Sequence, residues 1–131
     1  MESENRKILI ITDVADSTRQ VAENIAVIIG GYSGYSTVTV KAESFSGTDI
    51  LPCYAFFLGC ETPNPPSFFY VETLFAHINL VGRPCGVFSS NKEALKYLSG
   101  LVYESEVVLG SPFLVKEGAA LQNWIQSILE L

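Results

Sequence analysis

Thr12-Asp13-Val14-Ala15-Asp16-Ser17-Thr18 gathers three hydroxyls and two carboxylates within seven residues. The segment lies between Lys7-Ile8-Leu9-Ile10-Ile11, an aliphatic run that reads as a buried strand, and Arg19 to Ile29, which has helical periodicity. A strand feeding a helix through such a loop aims backbone N–H groups and a positive dipole end at one point, which is the chemistry of a phosphate site. Thr12, Ser17 and Thr18 add hydroxyl donors. The two carboxylates oppose it: one of them about 5 Å from one phosphate charge costs roughly 3 kcal/mol at an effective dielectric near 20. The loop also holds no glycine, so the close backbone approach that positive φ permits costs on the order of 1–2 kcal/mol. Asp13 and Asp16 escape the repulsion by pointing to solvent. Alternatively they cap the helix themselves, which is favourable without any ligand.

The remaining chemistry is sparse. The chain has 131 residues, one histidine, three cysteines and a net charge of −6. An odd cysteine count argues against a disulfide framework, and the lone histidine without a C-x-x-C pair makes a metal site unexpected. Cys60, at a strand end beside Glu61, is the one thiol placed to react; the adjacent charge would raise its pKa and favour an inert role. The negative charge disfavours nucleic acid and acidic membrane surfaces and suits a basic protein partner. No apolar run reaches bilayer length and Met1 to Arg6 carries no signal pattern, so a cytoplasmic protein is expected.

The elements that must position these residues follow from the hydrophobic pattern. A hydrophobic content of 48% and a mean hydropathy of +0.29 supply one core, and residues 1–131 read as a single domain. The first helix buries Val21, Ile25, Ile28 and Ile29, stops at Gly30-Gly31 and starts from a capping box of Ser17 with Gln20. Thr37 to Ala42 alternates as a second strand. Residues 43–52 are a connection with a helical turn near Asp49-Ile50-Leu51. Tyr54 to Gly59 is apolar throughout and so a central third strand. Cys60-Glu61-Thr62-Pro63-Asn64-Pro65-Pro66 is too proline-rich for helix or strand. A helix over Ser67–Asn79 contains His77, read as structural. Cys85 to Phe88 is the fourth strand, and Ser90 with Glu93 opens a helix running to Leu98. Val107-Val108-Leu109 and Phe113-Leu114-Val115 form the last strand around an irregularity at Gly110-Ser111-Pro112. Ala119 to Leu131 is a closing helix with Trp124 in the core or over the sheet. Strands separated by helical segments imply right-handed crossovers and a three-layer, doubly wound α/β fold with five parallel strands.

With these elements the chain resembles flavodoxins over nearly its whole length. Their first loop has the form Ser/Thr-x-Thr-Gly-x-Thr, and Thr12 to Ser17 lies over it with Val14 for the central threonine and Ala15 for the glycine. A second register, anchored on Thr18-Arg19-Gln20-Val21-Ala22, puts Asp16 at the glycine. Leu58-Gly59-Cys60-Glu61-Thr62 looks like the Gly-x-x-Thr turn after the third strand. Gly82 to Phe88 resembles the start of the fourth strand, and Val107 to Val115 the last strand of short-chain flavodoxins.

The resemblance implies strand order 2-1-3-4-5 and an FMN held without covalent bonds at the carboxyl ends of strands one, three and four. Residues 12–18 would meet its phosphate. Cys60, Glu61, Thr62, Pro63 and Asn64 would face the ring, with Thr62 reaching toward the phosphate. Ser89, Ser90 and Asn91, in place of a Gly-x-Gly-Asp stretch, would bond the pyrimidine edge. The family's stacking tyrosine is absent, and Tyr97 lies too far along its helix to replace it. Phe68, Phe69 and Tyr70 offer aromatic faces, although their place on a helix favours packing in the core. Ser90 is otherwise a plain N-cap.

Three functions are consistent with these residues, and the first is the one expected, ahead of the second and then the third. The first is an FMN-binding carrier of single electrons between redox proteins, with no substrate or catalytic residue of its own, docking a partner with a basic surface. The second is a binding or regulatory module on the same fold without FMN. The third is a small flavin enzyme such as a quinone reductase, for which no proton donor or second cofactor motif is evident.

Overall fold

The computed structural model describes residues 5–115 and 120–131. The strands are β1 (Arg6–Thr12), β2 (Tyr35–Lys41), β3 (Ala55–Gly59), β4 (Pro84–Ser89), β5 (Val108–Leu109) and β6 (Phe113–Leu114). The helices are α1 (Asp16–Gly30), α2 (Gly47–Ile50), α3 (Phe69–Phe75), α4 (Lys92–Val102) and α5 (Leu121–Leu129). The sheet is parallel throughout, in the order β2-β1-β3-β4-β5, and β6 also pairs with β4. The chain therefore has a doubly wound α/β fold with the 2-1-3-4-5 order expected from sequence.

The fifth expected strand is split. Pro84 and Cys85 pair with Val108 and Leu109, whereas Phe88 and Ser89 pair with Phe113 and Leu114. Residues 110–112 thus span what residues 86 and 87 span on β4, a one-residue bulge that bends the edge. Trp124 secures it by donating its indole N–H to the Ser111 carbonyl at 2.7 Å. The same ring stacks on Phe113 and meets Phe57 and Phe88 edge-on. Trp124 is core, as expected.

Alternation along the strands divides the interior in two. Ile8, Ile10, Ala55, Phe57 and Phe88 pack against α1 and α5, while Leu9, Ile11, Phe56, Leu58 and Val87 pack against α3 and α4. All five residues of β3 are buried, as its unbroken apolar run predicts.

Several boundaries differ from the sequence reading. α1 begins at Asp16, not Arg19; its N-cap is Ala15, and Ser17 makes no capping box. Asp16 gains from the helix dipole and pairs with Arg19 at 3.1 Å. α4 is capped by Asn91 rather than Ser90, because the Asn91 carboxamide accepts the Glu93 N–H, and the helix runs on to Val102. The Ser67–Asn79 helix is a 3-10 turn over Pro66–Phe68 followed by α3, so His77 lies exposed just past the helix end. β2 begins at Tyr35, and Ala42 belongs to a 3-10 turn over Ala42–Ser44. Phe68 packs in the core, whereas Phe69 and Tyr70 are exposed, since the shortened helix turns only Val71 and Phe75 inward. Ala119, the expected start of the closing helix, lies outside the described residues.

Gly59 closes β3 where Phe88 crosses it. A Cβ there would stand 2.2 Å from the Phe88 ring. Gly59→Ala should therefore overpack a buried contact and lower unfolding free energy by about 1–3 kcal/mol. Urea unfolding of the variant checks this, and an unchanged midpoint would contradict the close packing.

Candidate functional site

Loop 1 follows β1 at the carboxyl end of the sheet. Thr12 is buried at the strand end, and the Asp13 N–H extends the β1–β3 pairing by donating to the Gly59 carbonyl at 3.2 Å. The Asp13 side chain then turns inward: only 3% of the residue is exposed. One carboxylate oxygen accepts the Ala15 N–H at 3.3 Å, and the other accepts the Glu61 N–H at 2.8 Å. Asp13 neither points to solvent nor caps α1; it ties loop 1 to the loop after β3. Asp16 is exposed, as its solvated alternative required. Val14, at the loop tip, is 64% exposed. Thr18 is buried on the inner face of α1.

The second loop meets the first at a further point, where the Ser17 hydroxyl donates to the Glu61 carboxylate at 3.1 Å. Glu61, Thr62, Pro63 and Asn64 are exposed, and Asn64 takes a left-handed φ of 52° that asparagine tolerates. Cys60 is buried. Its thiol is pushed up to about 12 by burial and then by the Asp13 charge, so the inert role stands, but Asp13 rather than Glu61 supplies the electrostatic part. In the third loop Ser89 is buried and its hydroxyl accepts the Asn91 N–H at 3.0 Å. Ser90 is exposed.

These loops converge. Asp13, Val14, Ala15, Glu61, Thr62 and Ser67 line an open depression of about 690 Å³, joined by Glu43, Pro65 and Pro66. Ser17, Thr18, Ser89 and Ser90 line a second space of only about 30 Å³, with Val21, Phe88 and Val115. That is room for a single water. Pro63 and Asn64 line neither space, and Thr12 opens toward the α1 side of β2 instead. Glu43 was missed by the sequence reading; its position two residues past β2, at the carboxyl end of the sheet, was the available signal. Tyr97 stays away from the site, packing on Phe68 and donating its hydroxyl to Glu72, and burial and that bond raise it above the ordinary phenol range. Among the described residues no group of His, Cys, Asp and Glu is arranged to hold a metal, and no helix is long and apolar enough to cross a membrane.

No protein-family model and no curated protein matches the sequence. Solved structures do match the fold. A short-chain flavodoxin associated with a non-canonical PDU bacterial microcompartment superposes with a TM-score of 0.76 at 9% identity. The Streptococcus pneumoniae TIGR4 flavodoxin gives 0.75 at 15%, and oxidised flavodoxin 2 from Bacillus cereus 0.74 at 18%. Each comparison covers 95% of both chains. The fold is flavodoxin-like.

The residues at the switch point do not fit the phosphate end of FMN. Two backbone N–H groups that face the crossing of loops 1 and 2, those of Ala15 and Glu61, are already bonded to a carboxylate. Glu43 and Glu61 add charge of the same sign to the depression. The hydroxyl-lined space between loops 1 and 3 has room for a water but not for a phosphate.

Removing the Asp13 carboxylate leaves two half-buried hydrogen bonds without their acceptor. Asp13→Ala should cost about 2–3 kcal/mol in urea unfolding, whereas Asp16→Ala, which loses one exposed ion pair, should cost less than about 1 kcal/mol. Equal effects would mean the two loops are not held through Asp13. Cys53, Cys60 and Cys85 are all buried with raised thiol pKa values. A thiol-titrating reagent at neutral pH should detect none of them until the chain is unfolded.

Proposed function

We propose that this flavodoxin-like chain is a binding or regulatory module that works without an FMN anchored in its first loop and has no substrate of its own. The observation that carries this reading is the buried Asp13 carboxylate, which takes the Ala15 and Glu61 N–H groups and sets a negative charge beside the point a phosphate would approach. Its acidic edge, formed by the exposed Asp16, Glu43 and Glu61, suits a protein partner with a basic surface. Three unpaired cysteines suit a reducing compartment such as the cytoplasm. A second reading, an FMN-bound carrier of single electrons, is favoured by the end-to-end match to flavodoxin structures.

Absorption in the flavin bands and quenching of flavin fluorescence separate the two. The purified chain should carry no flavin and bind added FMN weakly. The double variant Asp13→Ser, Asp16→Gly removes one repulsive contact and restores the glycine. A relief of about 3 kcal/mol corresponds to a gain in affinity of more than a hundredfold. Purification of the unaltered chain with bound FMN would overturn the proposal and favour the carrier.

A further inference from the structure

The two edges of the sheet are built differently. On one side β5 and β6 have two residues each, and the bulge between them contains Pro112. Short, bent, proline-bearing strands are how proteins protect an edge from pairing with another chain. On the other side β2 runs straight for seven residues, Tyr35-Ser36-Thr37-Val38-Thr39-Val40-Lys41, in unbroken register with β1. None of its residues is buried, and among the described residues it pairs with no other strand. It has no proline and no bulge, and its one charge is at the end.

The surroundings of this edge suit a like surface. Residues 30–42 include no acid in a chain that carries 14. Beside the strand an open groove of about 690 Å³ runs between α1 and β2, with Ala26, Val27 and Val40 as its apolar wall and Arg19, Glu23 and Lys41 of mixed sign at its rim. Val27 is 76% exposed. The net charge of −6 makes copies of the chain repel one another, and β2 with the turn before it adds no acid to that repulsion, while Glu23 shares the groove with Arg19 and Lys41.

We propose that β2 pairs antiparallel with β2 of a second copy, making one continuous sheet across a two-fold axis at Val38. The seven-residue strand is centred on Val38, so that residue faces itself and Thr37 of each copy faces Thr39 of the other. Stable pairs bury roughly 1,200 Å² or more, more than strand pairing alone supplies, so α1 of each copy closes over the groove of the interface through Val27. This interface shares no residue with the acidic depression and does not depend on whether FMN binds there.

Sedimentation velocity over a concentration series tests it. The unaltered chain should sediment as a dimer that dissociates on dilution. Val38→Lys puts two ammonium groups opposite each other, and it should sediment as a monomer with unchanged circular dichroism, because Val38 is 38% exposed in the single chain. Val38→Cys should give a covalent dimer under mild oxidation, since the native thiols are buried. A chain that is monomeric at every concentration overturns the proposal. So does a dimer that Val38→Lys leaves intact, which would place the contact elsewhere.

Discussion

A carboxylate taken out of water costs several kcal/mol unless donors surround it. The carboxyl end of a parallel sheet has the opposite shortage, because the chain leaves β1 and β3 with N–H groups that the strands no longer pair. At Asp13 the two needs meet. Its backbone N–H continues the β1–β3 ladder by one bond, and its side chain then takes the Ala15 and Glu61 donors. The rest of the edge follows from this: Glu61 is held where Ser17 can reach it, Cys60 lies beneath a negative charge, and the loops that diverge from neighbouring strands are tied together.

Below that edge, packing transmits the same order across the sheet. Gly59 lacks a side chain so that Phe88 can cross it, Phe88 meets Trp124, and Trp124 holds the bulge through the Ser111 carbonyl. The first loop, the central strand and the bent edge are therefore linked through one cluster on the α1–α5 face. The regular strand β2 lies at the far edge from this chain of contacts, hydrogen-bonded to β1 and packed against α1.

Pattern at the scale of whole elements was legible in the sequence because it reflects burial. The apolar run at β3, the alternation into two helical layers and the break at Gly110–Pro112 all appear as residue types at fixed spacing. Details set by a single torsion were not. Ser90 and Asn91 are both good caps by type, and only the backbone at Asn91, with φ −127° and ψ 122°, decides which one caps α4. Ser17 fits a capping box by spacing, yet the helix had already begun before it. Phe69 and Tyr70 looked like core because aromatic residues on a helix usually are, and a 3-10 turn at Pro66–Phe68 rotated them outward. At the site, the convergence of three loops was readable from strand order, and the only signal for Glu43 was likewise its position past the second strand, since no local pattern distinguishes it from a solvated connection.

Asp13 and Asp16 show why composition alone could not decide the chemistry of loop 1. Both are acids three residues apart in a polar segment, and both argue equally against a phosphate on net charge. In the structure they act differently. Asp16 is solvated beside Arg19, and a charge in that position is largely screened. Asp13 is buried and bonded, so an incoming anion would have to displace an internal one and leave it unpaired, a far larger penalty than repulsion through water. A loop that had only lost its glycine would keep its donors open and bind phosphate weakly. Here Asp13 takes the Ala15 N–H of loop 1 and the Glu61 N–H of the loop after β3, so two donors at their crossing are satisfied by a side chain of the protein itself.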